Sequence, residues 1–330
     1  MKGKKMNFSN EVVNLINNAK NVAIVTHVRP DADCLGSASA LKGALISLGK
    51  TADIYCDSDI SKNFLVIPFI NKVNVPDNTN YDTIIAVDCG DANRVGCYIS
   101  LFETHHNTLC IDHHMGESIE DSKFTNLLVK EPTASTAEIL FYLFNQMGIR
   151  LNEQIAIGLY SGILTDTGGF LHSNTTADTH IVAGEILKHL SNTTMTDVNY
   201  NLLKKRTVGQ INILKVALKN LRYICNGKVA ITYLTERDFK ENGLINSENY
   251  GIVDTCVNID TVDIGILISE KSKNLYAVSL RGKDKDVSLI ARIFGGGGHK
   301  LASGCNIFGS YNAVISKLEK AINDNYDRLS

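Results

Sequence analysis

Three short apolar runs constrain this chain more than any other feature, because each ends in side chains that bind cations. Residues 22–26 lead into His27, Asp31 and Asp33, residues 83–87 into Asp88, and residues 108–111 into Asp112, His113 and His114. Short runs rich in β-branched and apolar residues read as buried strands. Patterns of helical period separate and follow them, at 35–48 (stopping at Gly49), 135–147, 154–164 and 177–190. Ser135 and Glu138 have the spacing of a capping box, and Gly148 is the expected stop of that helix. Alternating strands and helices predict a mainly parallel sheet with helices on both faces. Ligands bind such sheets beyond the carboxyl ends of the strands. His27, Asp31, Asp33, Asp88 and His113 are therefore expected at one rim.

The second part of the chain reads differently. A helical stretch of mixed polarity at 197–221 is expected to be a connector, which divides the chain into 1–195, a linker at 196–224, and 225–330. Strands are expected at 229–233, 263–268 and 275–280, the last two as a pair, and helices at 287–294 and 313–322. Four glycines, 295–298, and His299 interrupt that pattern. The fold class is α/β: a parallel-sheet domain, a helical connector, and a smaller α/β domain with a mixed sheet. A length of 330 residues suffices for two cores. A net charge of −2 argues against a protein that coats long nucleic acid, but not against a local basic pocket. The basic N-terminus is followed by no long apolar run, so a secretory signal or membrane span is not expected. The 8 cysteines form no C-x-x-C pair and read as reduced thiols of a cytoplasmic protein. Cys34 and Cys89 lie beside the candidate ligands, but the carboxylates around them favour a harder metal.

Asp31 and Asp33 are two residues apart, and in an extended loop each could hold a different ion. Asp88 could bridge the ions through its two oxygens. His27 would complete one site with Asp31, and His113 the other with Asp33 and Asp166. A carboxylate and imidazole set without thiolate favours Mn²⁺, Mg²⁺ or Co²⁺ over structural Zn²⁺. Ions about 3.5–4 Å apart can share a hydroxide and polarise a phosphoryl oxygen, which suits hydrolysis of phosphoesters or phosphoanhydrides. Singly, these residues are ordinary: an Asp after a strand is usually a turn or cap residue, and the His105–His106 pair reads as surface. Their combination carries the argument.

The set His27-x-x-x-Asp31-x-Asp33, Asp88, Asp112-His113-His114, and Asp166 in a T-D-T-G-G context resembles the DHH phosphoesterase superfamily. Residues 295–304 are similar to the signature of its DHHA1 C-terminal domain, and residues 279–283 to the basic strand-end motif before it. Within the superfamily the chain looks like the bifunctional oligoribonuclease and pAp phosphatase group, the nanoRNases. Ala32 stands where the family often has Gly.

The resemblance implies His27, Asp31 and Asp88 on one ion and Asp33, Asp88, His113 and Asp166 on the other. His114 would face the scissile phosphate, and Asp112 would orient a ligand, so His114, Asp112 and Asp88 are the catalytic candidates. Arg281 would grip a phosphate, the amides of Gly296, Gly297 and Gly298 would form an anion-binding concavity, and His299 would add a hydrogen bond or a stacking face. Arg94 and His172 are further candidates for lining the groove.

The implied activity is two-metal hydrolysis of short RNA or DNA oligonucleotides, including linear pGpG and pApA, to 5′-mononucleotides, with dephosphorylation of pAp. No membrane and no long duplex is expected as a partner, and a homodimer is compatible with the reading. A soluble cyclic di-AMP phosphodiesterase, a manganese pyrophosphatase and an inactive nucleotide-binding regulator stay open as alternatives.

Overall fold

Helix caps decide where the elements of this chain begin. Asp31 accepts a hydrogen bond from the Cys34 amide, so the helix expected at 35–48 starts earlier and runs Ala32–Ser47. Asp33 therefore lies in a first helical turn and not in the extended loop expected for it. Asn152 caps a helix that reaches Asp166, later than the expected end at 164, so a helix end delivers that carboxylate. The computed structural model describes residues 6–74, 80–114, 123–129, 133–244 and 251–329. The basic residues before Met6 and the side chain of His299 lie outside the described residues.

The chain divides into two units, 1–205 and 206–330. In the first, strands β1 (Asn21–Val25), β2 (Thr51–Tyr55), β3 (Thr83–Val87), β4 (Thr108–Asp112) and β5 (Asn126–Val129) form an all-parallel sheet in the order β2-β1-β3-β4-β5. Helices α1 (Asn10–Asn18), α2 (Ala32–Ser47), α4 (Thr136–Gln146), α5 (Glu153–Asp166) and α6 (Ala177–Leu187) pack into one core with Val22, Ile24, Ile85 and Leu109. Helix α3 (Ile99–Thr104) brings Phe102 to the opposite face, against Ala23, Ile84 and Cys110. Both sheet faces are thus covered, as period-free apolar strands require.

Helices α2 and α5 cross at bare backbone. A Cβ on Gly158 would stand 2.6 Å from the Gly36 carbonyl and 2.9 Å from the Ala40 amide, and one on Gly36 would overlap the Gly158 carbonyl. A Cβ on Gly162 would overlap the Asp33 carboxylate itself. Gly158→Ala is expected to destabilise by about 1–3 kcal/mol, the usual range for overpacking a filled core. A thermal melt followed by circular dichroism checks this, and an unchanged Tm would mean the crossing can relax.

The Glu153 carboxylate accepts from the amides of Ser191, Asn192 and Thr193 at 2.6–3.0 Å and closes the turn after α6. The Thr193 amide, the Asn192 side chain and the Ser191 amide hold its carboxyl down at about 2. A depressed carboxyl stabilises the fold above its unfolded pKa and loses that contribution as pH falls through its folded one. Glu153→Gln should lower Tm at neutral pH, and the gap to wild type should close as pH drops from about 4.5 toward about 2. A gap that stays constant over acid titration would exclude this charge as the source.

Residues 196–224 do not form the single connector expected. Helix α7 (Met195–Asn199) ends in a π-turn at Tyr200–Lys204, and an extended Thr207 starts helix α8 (Val208–Lys219) through a capping box with Gln210. The unit boundary lies at 205/206, so α8 belongs to the second unit, where Ile213 and Ala217 pack on Leu234 and Phe239. That unit holds β6 (Arg222–Ile224), β7 (Val229–Leu234), α9 (Glu236–Glu241), α10 (Ile252–Val257), β8 (Ile264–Ser272), β9 (Leu275–Gly282), α11 (Val287–Ile293), β10 (Gly297–His299), β11 (Ala302–Phe308) and α12 (Tyr311–Asn325). The sheet order is β10-β11-β9-β8-β7-β6; β7 and β8 run parallel and the other neighbours antiparallel. Helices α11 and α12 pack into one core with this sheet, and α8, α9 and α10 into another.

Candidate metal centre

The carboxyl ends of β1, β3 and β4 lie side by side in the first unit, and the acidic and imidazole side chains follow them there. Asp88, just past β3, has φ +58, a left-handed conformation uncommon for a residue with a side chain. Such strain persists where the surroundings over-determine it. The carboxylate is 2 % exposed. One oxygen, Oδ2, faces His27 Nε2 at 3.7 Å; the other, Oδ1, faces His113 Nε2 at 3.7 Å and His114 Nδ1 at 3.5 Å. Asp31 Oδ2 lies 3.9 Å from His27 Nε2, and Asp166 Oδ2 lies 3.2 Å from His113 Nε2. Asp33, His113 and Asp166 each offer a ligand atom within 4.8 Å of the other two. Asp88 thus stands between two groups, one around His27 and Asp31, the other around His113, Asp33 and Asp166.

Two buried nitrogens test whether cations fit. His27 Nε2 and His113 Nε2 make no hydrogen bond, although buried polar atoms rarely lack a partner. His27 Nδ1 lies 2.9 Å from the Val28 carbonyl, which can only accept, so Nδ1 holds a proton and Nε2 is the nitrogen that turns to an ion. Burial lowers the His27 pKa, but Asp88 and Asp31 outweigh it and raise it, so an ion would bind there in place of a proton. Burial holds His113 below its ordinary pKa, neutral as a ligand must be. Ligand atoms ~2.1 Å from one ion and a right angle or somewhat more apart stand about 3.0–3.6 Å from each other. The contacts observed here run from 3.2 to 3.9 Å, at or past the long end of hydrogen-bond distances and close to that edge length.

The carboxylates point the same way. Burial, and then the charges of Asp88, Asp166 and Asp31, push Asp33 well up. Burial and then Asp88 push Asp166 up to about 8. Burial acts upward on Asp88 as well, but the facing His27 imidazole and the charges of His113 and His114 outweigh it and hold it low. A divalent cation relieves this crowding of like charge. Cys34 also brings a sulfur within 4.8 Å of ligand atoms of His27 and Asp88, but its buried thiol donates to the Val87 carbonyl at 3.3 Å, and burial pushes its pKa up.

Asp112, fully buried at the end of β4, orients His114. Its Oδ1 accepts from the His114 amide at 2.8 Å and from Nδ1 at 2.6 Å, while Oδ2 accepts from the Gly90 amide. Burial lowers the His114 pKa, but Asp112 and Asp88 outweigh it and bring it up to about 9, which makes the ring cationic at neutral pH. Among the remaining candidates of this unit, Arg94 is half-buried on the turn after Asp88, its carbonyl accepting from the Val28 amide at 2.7 Å. His172 folds back so that its Nδ1 lies 3.2 Å from the Asp166 carbonyl, in space that any side chain at Gly168 would fill.

Residues 21–163 match the N-terminal domain of the DHH family, and residues 226–324 match the DHHA1 domain. This chain belongs to the DHH phosphoesterase family. A relative in Streptococcus mutans, named as a probable bifunctional oligoribonuclease and PAP phosphatase, is 30% identical over 294 residues, 87% of this chain and 89% of that protein. The Bacillus subtilis bifunctional oligoribonuclease and PAP phosphatase is 26% identical over 301 residues, covering 90% and 93% of the two chains. The solved structure of an exopolyphosphatase-related protein from Bacteroides fragilis shares the fold, with a TM-score of 0.87 at 21% identity over 97% of this chain and 96% of that one.

In the DHHA1 domain of this DHH phosphoesterase, the glycine run does structural work that sequence reasoning assigned to anion binding. The Gly295 amide donates to the Arg292 carbonyl and the Gly296 amide to the Ala291 carbonyl, and Gly295 has φ +71. These are the two bonds of a Schellman stop, and they end α11. The Gly296 amide is committed there and does not join an anion-binding concavity. Gly297 and Gly298 continue as β10 opposite Gly304 and Ser303, where a Cβ on Gly298 would stand 2.6 Å from the Ala302 carbonyl. Arg281, near the end of β9, pairs through Nε with Asp254 on α10 at 3.2 Å and is about one-third exposed.

Sequence reasoning missed the groups that support the acidic ligands. The amides of Thr136 and Ala137 donate to Asp33 at 2.7 and 3.1 Å, Ser37 donates to it at 3.3 Å, and the Asn174 side chain donates to the Asp166 carbonyl at 3.1 Å. The S-T sequence after Ala134 marks a helix start and carries no sign of the carboxylate it meets.

Proposed function

We propose that this protein is a two-cation phosphodiesterase that hydrolyses short oligonucleotides, linear pGpG and pApA among them, to 5′-mononucleotides, and that it also dephosphorylates pAp to AMP. The observation that carries the reading is the placement of Asp88, whose two oxygens face imidazoles of two different ligand groups. The relatives named for oligoribonuclease and PAP phosphatase activity support the substrate class. His27, Asp31 and Asp88 would hold one ion, and Asp33, Asp88, His113 and Asp166 the other; Mn²⁺ is proposed first, because the donors are hard oxygens and imidazoles. Such a pair, when bound, supplies a water of lowered pKa and polarises a phosphoryl oxygen.

The chain's own residues do the rest. His114, its ring fixed by Asp112, stabilises negative charge on the phosphoryl group as it builds in the transition state. Arg94 and His172 flank the nucleotide. In the second unit Arg281, held through Nε by Asp254, is the candidate to grip a phosphate, and Gly297, Gly298 and His299 are further candidates there. A dinucleotide and a nucleoside bisphosphate share one chemical feature, a phosphate to react and a second phosphate beside it, so one enzyme taking both is consistent with the names of the relatives. Among the described residues no helix is long and apolar enough to cross a membrane.

A product assay with Mn²⁺ tests this on pApA, pGpG, RNA oligomers of graded length, pAp, cyclic di-AMP and pyrophosphate. Rates should be highest for dinucleotides and fall as the oligomer lengthens, with AMP released from pAp. Rates that rise with length, or turnover confined to pyrophosphate or cyclic di-AMP, would overturn the assignment.

A further inference from the structure

We infer that Thr136 is a positioning residue of this centre, setting the rotation of the Asp88 carboxylate through its hydroxyl while its amide holds Asp33. The inference rests on the two-cation reading above and adds a residue to it. Thr136 is the first residue of α4, capped by Ser135, and is fully buried. Inside a helix a threonine hydroxyl usually bonds back to a carbonyl one turn earlier. In the first position no earlier turn exists, so the hydroxyl can reach outward. It donates to Asp88 Oδ1 at 2.9 Å, and the amide of the same residue donates to Asp33 Oδ2 at 2.7 Å. One residue thus touches the carboxylate proposed to be shared and a carboxylate proposed for a single ion.

The rotation of Asp88 matters because its two oxygens face different imidazole groups. The imidazoles themselves stand 3.5–3.7 Å away, too far to fix the carboxylate plane by hydrogen bonds. Among the described residues, the Thr136 hydroxyl stands closer to this carboxylate than the three imidazoles do, and it occupies one lone pair of Oδ1 while leaving the other for a cation. Without it the carboxylate can turn, and the two ligand groups lose their common oxygen geometry.

The experiment compares Thr136→Val, which keeps the shape and the amide bond to Asp33, with Thr136→Ser, which keeps the hydroxyl, and with Asp88→Asn. Mn²⁺ binding to each full-length protein is measured by calorimetry and by electron paramagnetic resonance of free Mn²⁺, beside Tm without metal and kcat against Mn²⁺ concentration. Thr136→Val should bind Mn²⁺ about 10–100-fold more weakly, the usual penalty for removing a group that orients a metal ligand. Its kcat should recover as Mn²⁺ is raised, which a folding defect would not allow, and Thr136→Ser should bind like wild type. Wild-type Mn²⁺ affinity in Thr136→Val, or an equal loss in Thr136→Ser, would overturn the inference. If Thr136→Val does not fold, Thr136→Ala against Thr136→Ser carries the same comparison. Should Asp88→Asn lose Mn²⁺ while Thr136→Val does not, this inference alone falls; should Asp88→Asn bind Mn²⁺ like wild type, the two-cation reading falls with it.

Discussion

Asp88→Asn should reduce phosphodiester turnover by about a thousandfold or more while leaving the fold intact. The size follows from the several kcal/mol that paired cations contribute to phosphoryl transfer, at a tenfold change for each ~1.4 kcal/mol. Asparagine is the informative replacement. Like aspartate it tolerates the left-handed backbone found at this position, and its amide oxygen can still accept from Thr136. What it lacks is the charge and the second acceptor oxygen, the one that faces His27 at 3.7 Å. Stoichiometry of bound Mn²⁺, measured beside kcat and Tm, separates the causes: loss of both ions with an unchanged Tm is the expected result. Full Mn²⁺ occupancy with full activity would show that Asp88 bridges nothing.

Asp112→Asn should lower kcat at saturating Mn²⁺ by about 10²–10⁴-fold, as replacing a buried aspartate that orients a reacting histidine does elsewhere. Both oxygens of Asp112 accept from N–H groups, Oδ1 from His114 and Oδ2 from Gly90. An amide has one accepting side only, so asparagine must point its NH₂ at one of those donors. Either His114 loses the bond that fixes its ring, or the Gly90 turn after Asp88 is pushed away. The negative charge that helps bring His114 up to about 9 disappears in both cases. Single-turnover rates at saturating Mn²⁺ are the measurement. A rate near wild type would remove His114 from the chemistry and leave Asp112 a purely structural residue.

Much of this centre was legible before any coordinates. Strands that end in His27, Asp88 and Asp112-His113-His114 must place those groups at one rim, because parallel strands share a direction and ligands gather where they end. The pairing of strands β8 and β9 was equally legible, since apolar runs of strand length separated by a short polar turn have few other solutions. Local signals went astray where two meanings share one pattern. Gly296, Gly297 and Gly298 read as an anion cradle, yet the Gly296 amide joins Gly295 in a helix stop, because a left-handed C-terminal residue and a phosphate loop both ask for glycine. The stretch at 196–224 kept a helical composition through a break that only the Thr207 cap reveals.

The amino-acid order alone determined the parallel α/β sheet, which side chains are candidates for binding cations, and their common end of the first unit, since periodicity and strand direction are properties of local sequence. Tertiary structure decided which oxygen faces which imidazole, that Thr136 and the start of α4 hold Asp33 and Asp88, and that Gly162 leaves room for Asp33. Those are contacts between residues up to 129 positions apart (Asp33 and Gly162), settled by how α2, α4 and α5 pack on the sheet, and no local pattern in the chain encodes them.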